Sequence, residues 1–273
     1  MSDLRHLISV SVLGSVALTG VASAAEPGWP PPAIPGGWTV TVGVEGKGIP
    51  AFEGASQYVI DPVPVFSLRR SDKTARFRSP RDGASIALIN AGGFYFGPVG
   101  KFRQGRDESE SEELRGLGDV DWTLEVGLFA EYWPSDWLRG RVEVRRGFHG
   151  HEGIVADFSA DFVVPVMERW TISGGPRLTL ADTDATAPYF GINAAQSAAS
   201  GLPAFDAKGG IYSVGAGLQA RYQWSQQWAA RSYVEYSRLM GDAGSSPLVT
   251  ERGSANQVTF GLGVTYSFDI KLW

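Results

Sequence analysis

The sequence predicts an all-β fold, a transmembrane barrel of antiparallel strands, and three observations support this prediction. Asn256–Phe268 alternates strictly, with apolar side chains at every even position and small or polar ones at every odd position. The same alternation recurs along most of the chain, and aromatic residues stand at the ends of many apolar faces. A period of two belongs to strands with one apolar face, and aromatics at strand ends are typical of the girdles of a membrane barrel.

Asn256–Phe268 taken alone is also compatible with a long strand of a soluble sandwich. Its thirteen residues exceed the usual soluble strand, and they suit a tilted strand that crosses the membrane with about 9–11 residues. Charged residues occur in the middle of several polar faces, which a water-filled lumen permits and a sandwich core does not. We therefore expect a barrel.

In chain order, an export signal comes first. Residues 1–25 combine a short polar start, an apolar run from Leu7 to Gly20 and small residues at Ala22–Ala25, as in a signal peptide. Residues 26–37 contain five prolines and three glycines and predict a linker, and residues 38–273 are predicted to form the barrel. The lack of cysteine excludes a disulfide framework, and a net charge of −5 without a basic run does not favour a nucleic-acid partner.

The strands follow from the apolar faces. The clearest are predicted at Trp38–Val44, Trp122–Tyr132, Leu138–Val144, Ile154–Val164, Tyr212–Trp224, Trp228–Tyr236 and Asn256–Phe268, with another that begins at Trp170. Weaker alternation predicts strands at about Tyr58–Arg70, Ala75–Ser79, Ala84–Asn90 and Phe94–Arg103. Because both termini lie on one side, the number is even. We expect about twelve strands if Ala75–Ser79 and Ala84–Asn90 are separate crossings, and ten otherwise.

The connections and the aromatic residues orient the barrel. Tight turns are predicted at Pro134–Trp137, Met167–Arg169 and Ser225–Gln227, and long polar loops at Gln104–Val120, Ala181–Gly209 and Gly241–Ala255. Short turns face the periplasm and long loops face outside in outer-membrane barrels. The predicted girdle aromatics are Trp38, Trp122, Tyr132, Trp170, Tyr212, Trp224, Trp228 and Tyr236.

The polar faces carry a pattern of charge that predicts a ladder inside the barrel. An arginine-rich strand lies between two acidic ones, and antiparallel pairing sets such side chains opposite one another. The residues expected to line the lumen are Asp121, Glu125, Glu131, Arg139, Arg141, Arg145, Asp157, Asp161, Arg221, Arg231 and Glu235. Two interpretations stay open, an ion-paired lumen that excludes bulk flow and a selective pore lining.

The pattern offers little for catalysis or metal binding. His149 and His151 are the only histidines after the predicted signal, and with Glu152 they form an unspecific metal-binding pattern in a predicted surface loop. A hydrolase would need such a histidine beside a serine or an aspartate, and no serine motif accompanies them. We expect no catalytic residue, no metal site and no cofactor. The acidic run Asp107–Glu113 is expected to be a solvated outer face, with divalent-cation or lipopolysaccharide bridging as the alternative.

Several segments resemble a known family. They are Gly48–Tyr58, Gly97–Asp107, Leu117–Tyr132, Tyr189–Ile192, and Gly241–Val249 (GDAGSSPLV) followed by GSANQVTFGLGVTYSF. On these residues the chain resembles the MipA/OmpV family of outer-membrane proteins over essentially its whole length from about Trp38. The most specific piece is the family-motif loop, marked by Gly241, Asp242, Ser246 and Pro247. The chain departs from many barrels at its end, where Asp269–Trp273 follows the aromatic Phe268.

The resemblance implies an outer-membrane barrel and, in the family's named member, a scaffold that holds a lytic transglycosylase near a peptidoglycan synthase. The first hypothesis is therefore a non-enzymatic scaffold whose periplasmic turns and linker are available to murein hydrolases and synthases. The second is a small-solute channel or uptake pore through the charged lumen, and the third a barrel hydrolase. Other expected partners are outer-membrane lipid, lipopolysaccharide and the barrel assembly machinery during biogenesis.

Overall fold

A single antiparallel sheet of twelve strands forms the wall of the molecule. The computed structural model describes residues 37–73 and 75–271, so the predicted signal peptide, the linker up to residue 36 and the last two residues lie outside the described residues. The strands are β1 (Trp38–Pro50), β2 (Tyr58–Arg70), β3 (Ala84–Ser85), β4 (Ile89–Ala91), β5 (Phe94–Arg103), β6 (Thr123–Ser135), β7 (Leu138–His149), β8 (Ile154–Met167), β9 (Trp170–Ala181), β10 (Gly210–Gln223), β11 (Trp228–Leu239) and β12 (Asn256–Ile270). The all-β antiparallel class and the count of twelve strands are confirmed, although the twelfth strand comes from the division of Ala84–Asn90 into β3 and β4 and not from Ala75–Ser79.

The helical elements are short and lie in the long connections. They are α1 (Thr183–Phe190), α2 (Ala194–Ser200), α3 (Gly241–Ser245) and α4 (Pro247–Arg252), with two 3₁₀ turns at Glu108–Glu110 and Glu112–Leu114. In the part of the chain that the structure describes, no helix is long and apolar enough to cross a membrane.

The sheet joins β1 to β12 and is open between β2 and the strands β3 and β4. β1 pairs with β12 from Trp38 opposite Ile270 to Gly48 opposite Phe260, and neighbours continue in order from β12 back to β5. Within residues 37–73 and 75–271, β2 pairs only with β1, while β3 and β4 pair only with β5. These strands are therefore the two edges of the curled wall, and the gap lies between them.

The strand predicted at Ala84–Asn90 is present but broken into β3 and β4. Ser85 lies opposite Val99 and Ile89 opposite Phe96 on β5. Between them, the amide of Ile86 donates to the carbonyl of Pro98 at 3.1 Å. Because Pro98 has no N–H to return a bond, the ladder is interrupted at this point.

The strand predicted at Ala75–Ser79 is wrong. The residues of this stretch have no strand conformation, and Phe77 is 3% exposed. The chain instead runs inside the barrel over Ala75–Gly83, up to the start of β3. Its alternation of small or aromatic residues with arginine resembles a wall strand, but Arg76 pairs with a carboxylate of the lumen and Arg78 donates to the carbonyl of Gly83 at 2.9 Å.

The outward face of the wall is apolar along its length. Exposed side chains at alternating positions include Val126, Leu128, Phe158, Leu218 and Leu262. Of the predicted girdle aromatics, Trp122, Tyr132, Trp170, Trp224, Trp228 and Tyr236 are exposed, while Trp38 is half-buried. Tyr212 is not part of a girdle. The register shifts between Ile211 and Ser213, and this bulge leaves Tyr212 only 8% exposed.

The long connections pack together into a cap over one end of the barrel. One apolar cluster joins α1, α3 and the ends of β8 to β11 and includes Phe190, Tyr212, Leu239 and Val249. A second cluster joins the β1–β2 loop to the other loops through Phe52, Leu114, Ile192, Leu202 and Leu248. The tight turns and the paired chain ends lie at the opposite end.

A charge-filled lumen as candidate functional site

The inward faces of β6, β7 and β8 form a ladder of ion pairs. Arg139 on β7 reaches Glu131 on β6 and Asp161 on β8, with nitrogen–oxygen distances of 2.9 Å in both cases. Nearer the cap, Arg145 on β7 likewise reaches Glu125 on β6 at 2.8 Å and Asp157 on β8 at 2.6 Å. These side chains are almost completely buried except Asp157, which is partly buried. Cross-strand neighbours in the register account for the arrangement.

Arg141 completes the ladder between these two levels. It lies 2.9 Å from Glu131 and 2.8 Å from Glu143, a carboxylate on its own strand. Glu131 is thereby shared by Arg139 and Arg141. Charge-assisted bonds of this length, with both partners removed from solvent, hold the inner face of the wall in one arrangement.

Asp121 does not belong to the ladder. It precedes the first residue of β6, Thr123, and its side chain is exposed on the cap side. The alternating pattern that predicted Asp121 continues for two residues before the start of β6, into the loop that precedes the strand.

The remaining predicted lumen residues lie on β10 and β11. Arg231 pairs with Glu45 of β1, whose other carboxylate oxygen accepts from the hydroxyl of Tyr233 at 3.1 Å. Arg221 lies directly opposite Arg231 in the register. Glu235 is bound by a residue that is not part of the wall.

That residue belongs to the inner segment, defined here as Ala75–Gly83. Arg81 lies 2.7 Å from Glu235 on β11 and 3.4 Å from Asp157 on β8, so its guanidinium bridges two strands across the interior. Asp82 binds Arg139 at 2.6 Å, and Arg76 binds Glu131 at 2.5 Å. The inner segment is therefore attached to the ladder at both of its ends.

Backbone and hydroxyl groups add further contacts to the inner segment. The amide of Gly83 donates to Glu143 at 3.0 Å, and Arg177 donates to the hydroxyl of Ser79 at 3.2 Å. Phe77 meets the ring of Trp133 edge-on at 6.2 Å, with the guanidinium of Arg139 over its face at 5.2 Å. These contacts fill the middle of the lumen.

Sequence reasoning missed several members of this network, which are Glu45, Arg76, Arg81, Asp82, Glu143 and Arg177. Glu45, Glu143 and Arg177 stand at inward positions of their strands, so parity alone could have identified them. The inner-segment residues gave no such signal, because their alternation was assigned to the wall.

The two histidines do not converge on a metal site. His151 is 2% exposed, and its Nε2 lies 3.2 Å from Glu125. This residue of the β7–β8 loop is therefore buried at the cap end of the lumen and not at the surface as predicted. His149 is exposed and stacks on Trp122 with ring centroids 4.4 Å apart. The described residues contain no group of three or more metal-ligating side chains.

A cluster around Arg103 lies at the cap end of the lumen. Its guanidinium lies 3.6 Å from the ring centroid of Tyr189, donates to the hydroxyl of Tyr212 at 2.7 Å and pairs with Glu53 of the β1–β2 loop. Burial raises the pKa of Tyr189 above its ordinary value. Arg106 donates to the Tyr189 carbonyl at 2.8 Å, and burial lowers the pKa of this arginine.

The family-motif loop forms the centre of the cap. Ser246 is fully buried, and its hydroxyl donates to the carbonyl of Phe190 at 2.7 Å. Asp242 accepts from the backbone amide of Lys208 at 2.8 Å, Gly241 adopts a positive φ of 51°, and Pro247 opens α4. This loop joins α1, the Lys208 region and the β1–β2 loop into one packed unit.

The fold and its interior define a membrane β-barrel whose lumen is filled by its own side chains and capped at one end. The family described as "MltA-interacting protein MipA" matches residues 42–268. The chain belongs to this family.

Solved structures with a similar fold are outer-membrane barrels. They include a "KdgM porin" (10% identity, TM-score 0.41, covering 84% of this chain and 99% of that chain), a "NanC porin" (8%, 0.41, 84% and 98%) and the COG4313 outer membrane channel from Pseudomonas putida F1 (11%, 0.44, 91% and 100%). No curated protein matches the chain significantly. Identities this low carry no information about function.

Proposed function

We propose that the protein is a closed outer-membrane barrel that acts through its water-facing surfaces, as a scaffold for periplasmic murein enzymes. The observation that carries this proposal is the bridge made by Arg81 between Asp157 and Glu235, in a lumen already crossed by the ion-pair ladder. A lumen filled in this way leaves no open path for a solute. The family description, which names an interaction with MltA, supports the choice of partner.

The periplasmic end offers the surface for such an interaction. The turns between β6 and β7, β8 and β9, and β10 and β11 present exposed residues there, including Asp136 and Gln227. The predicted linker at residues 26–37 would leave the barrel on the same side, beside Trp38. No catalytic group is part of this proposal.

Photo-crosslinking tests the partner. A photoreactive amino acid at Asp136 or Gln227 is expected to crosslink to a purified periplasmic lytic transglycosylase, and the same group at Glu110 in the outer cap is not. Equal yields from the cap and the turns, or none from either turn, would contradict the scaffold.

Conductance tests the closed lumen. The purified, refolded protein is expected to give no stable current steps in a planar bilayer, with correct folding shown by a heat-dependent gel shift. Stable steps from the unmodified protein that change in Arg141→Ala would establish the small-solute channel instead.

A further inference from the structure

The strands on the two sides of the gap in the sheet run in the same direction. β1 runs from the periplasmic end to the cap, so β2, its antiparallel partner, runs back toward the periplasm. β5 also runs toward the cap, so β3 and β4 run toward the periplasm. The two edges of the gap are therefore parallel to each other. An antiparallel sheet can close here only through one additional strand that runs from the periplasm toward the cap.

The inner segment is the piece of chain that runs in this direction. It leaves the periplasmic end of β2 and reaches the start of β3, at the level of Gly100 in the wall. Its nine residues can extend over about 30 Å, close to the thickness of the hydrocarbon layer. Ala75, Phe77 and Ser79 alternate with Arg76 and Arg78, so as a strand it would present an uncharged outer face and a basic inner face.

Three of the wall charges keep partners without the inner segment, while Glu235 loses its ion pair with Arg81. Glu131 retains Arg139 and Arg141, Asp157 retains Arg145, and Arg139 retains Asp161. Phe77 is the large apolar side chain that the inner segment buries, and most of its other contacts are polar. In a water-filled lumen the polar side chains of the segment can exchange these contacts for contacts with water. Apart from Phe77, release of the segment therefore exposes little apolar surface.

The edge of β2 that faces the gap can hold an added strand only weakly. Pro62 and Pro64 cannot donate hydrogen bonds, so they occupy positions whose backbone groups face away from β1, toward the gap. This edge therefore lacks two donors in its middle. Among residues 37–73 and 75–271 no second strand pairs with β2, and a lipid-facing edge without a strand partner is costly. This cost favours an added strand, and the missing donors limit how firmly it is held.

We propose that the inner segment is a displaceable stopper. In a second state Ala75–Gly83 leaves the lumen and enters the gap as an ascending strand between β2 and β3. The sheet becomes closed, and the lumen becomes a pore for small hydrophilic ions. The protein then has a gated conducting activity in addition to the scaffolding proposed above.

Conductance of a released variant tests the opening. Arg81→Gln with Asp82→Asn removes the two charges that attach the β3 end of the segment to β7, β8 and β11, without a change in net charge, and leaves Arg76 on Glu131 at the other end. The matched control is Arg115→Gln with Glu112→Gln, an exposed pair in the cap. We expect stable current steps from the released variant, and none from the unmodified protein or the control.

A folded released variant that stays as silent as the control would overturn the proposal. If the double variant does not give the heat-dependent gel shift of the folded barrel, Asp82→Asn alone tests the same attachment to Arg139.

A fluorescent label distinguishes entry into the wall from loss into the periplasm. The chain has no cysteine, so Phe77→Cys can carry a single bimane dye. In the closed state Trp133, next to this position, is expected to quench it, and Trp133→Phe is expected to remove that quenching. In the released variant we expect quenching by nitroxide lipids, as at the outward control Val126→Cys. Quenching by aqueous iodide alone would exclude the wall position.

Discussion

At the scale of single residues, Glu131 has the most demanding position in the interior. It is 1% exposed and accepts bonds from Arg76, Arg139 and Arg141. This buried carboxylate neutralises part of the positive charge of the three guanidinium groups, which would otherwise repel one another. Removing one partner of a buried pair costs more than the pair contributes, because it leaves the others uncompensated.

Glu131→Gln is therefore expected to lower the free energy of unfolding by roughly 3–5 kcal/mol. Urea titration of the protein in lipid vesicles, followed by tryptophan fluorescence, measures the change. Glu112→Gln, at an exposed position of the cap, is the control and is expected to leave the midpoint unchanged. Equal midpoints for the two variants would show that the ladder adds nothing to stability.

Ser246 has a comparable position in the cap. Ser246→Ala leaves the carbonyl of Phe190 without its donor in a fully buried site, at a cost of roughly 1–3 kcal/mol. We expect trypsin to cleave the cap loops about tenfold faster, since cleavage follows local opening and about 1.4 kcal/mol is a factor of ten. Ser245→Ala, at the exposed neighbouring position, should be cleaved at the unmodified rate. No difference between the two variants would contradict this role of the hydroxyl.

At the scale of elements, the strands with a strict period of two were predictable from the sequence, and the position of the inner segment was not. β6, β7, β8 and β12 have one apolar and one polar face, and the membrane and the lumen enforce that separation at every second residue. The inner segment has the same local pattern, and only its contacts with distant carboxylates place it in the lumen. A local pattern cannot reveal which of two available environments the segment enters.

The candidate site was predictable to the extent that it depends on strand parity. Glu125, Glu131 and three of the four arginines of β7 face inward because they share parity within long regular strands. Asp121 and Tyr212 were misplaced where regularity ends, the first beyond a strand end and the second at a bulge. The packing of the cap depends on contacts between residues more than a hundred positions apart, such as Phe52 and Leu248, which no short pattern encodes.

At the scale of the whole molecule, the two ends of the barrel differ in kind. The cap is a packed layer with its own apolar clusters, and the opposite end consists of tight turns and the paired ends of β1 and β12. The acidic 3₁₀ turns of the cap are exposed, and the hydrogen bond from Ser111 lowers the pKa of Glu113. Because long loops face outside and short turns face the periplasm in outer-membrane barrels, we expect the cap to face the medium.

This orientation can be tested with single cysteines in a chain that has none. Glu110→Cys is expected to react with a membrane-impermeant maleimide on intact cells. Asp136→Cys is expected to react only after the outer membrane has been permeabilised. The reverse pattern would invert the barrel, and would move the proposed partner surface to the cell exterior.

The pairing of β1 with β12 has a consequence for how the chain could be cut and rejoined. Since the first and last strands are neighbours, the sheet follows a simple meander from β3 through β12 and on to β1 and β2. The ends of this meander lie in the middle of the sequence, on either side of residues 71–83. A circular permutant that joins Ile270 to Trp38 through a short linker and begins near Lys73 would have the order of its strands in the chain equal to their order in the sheet.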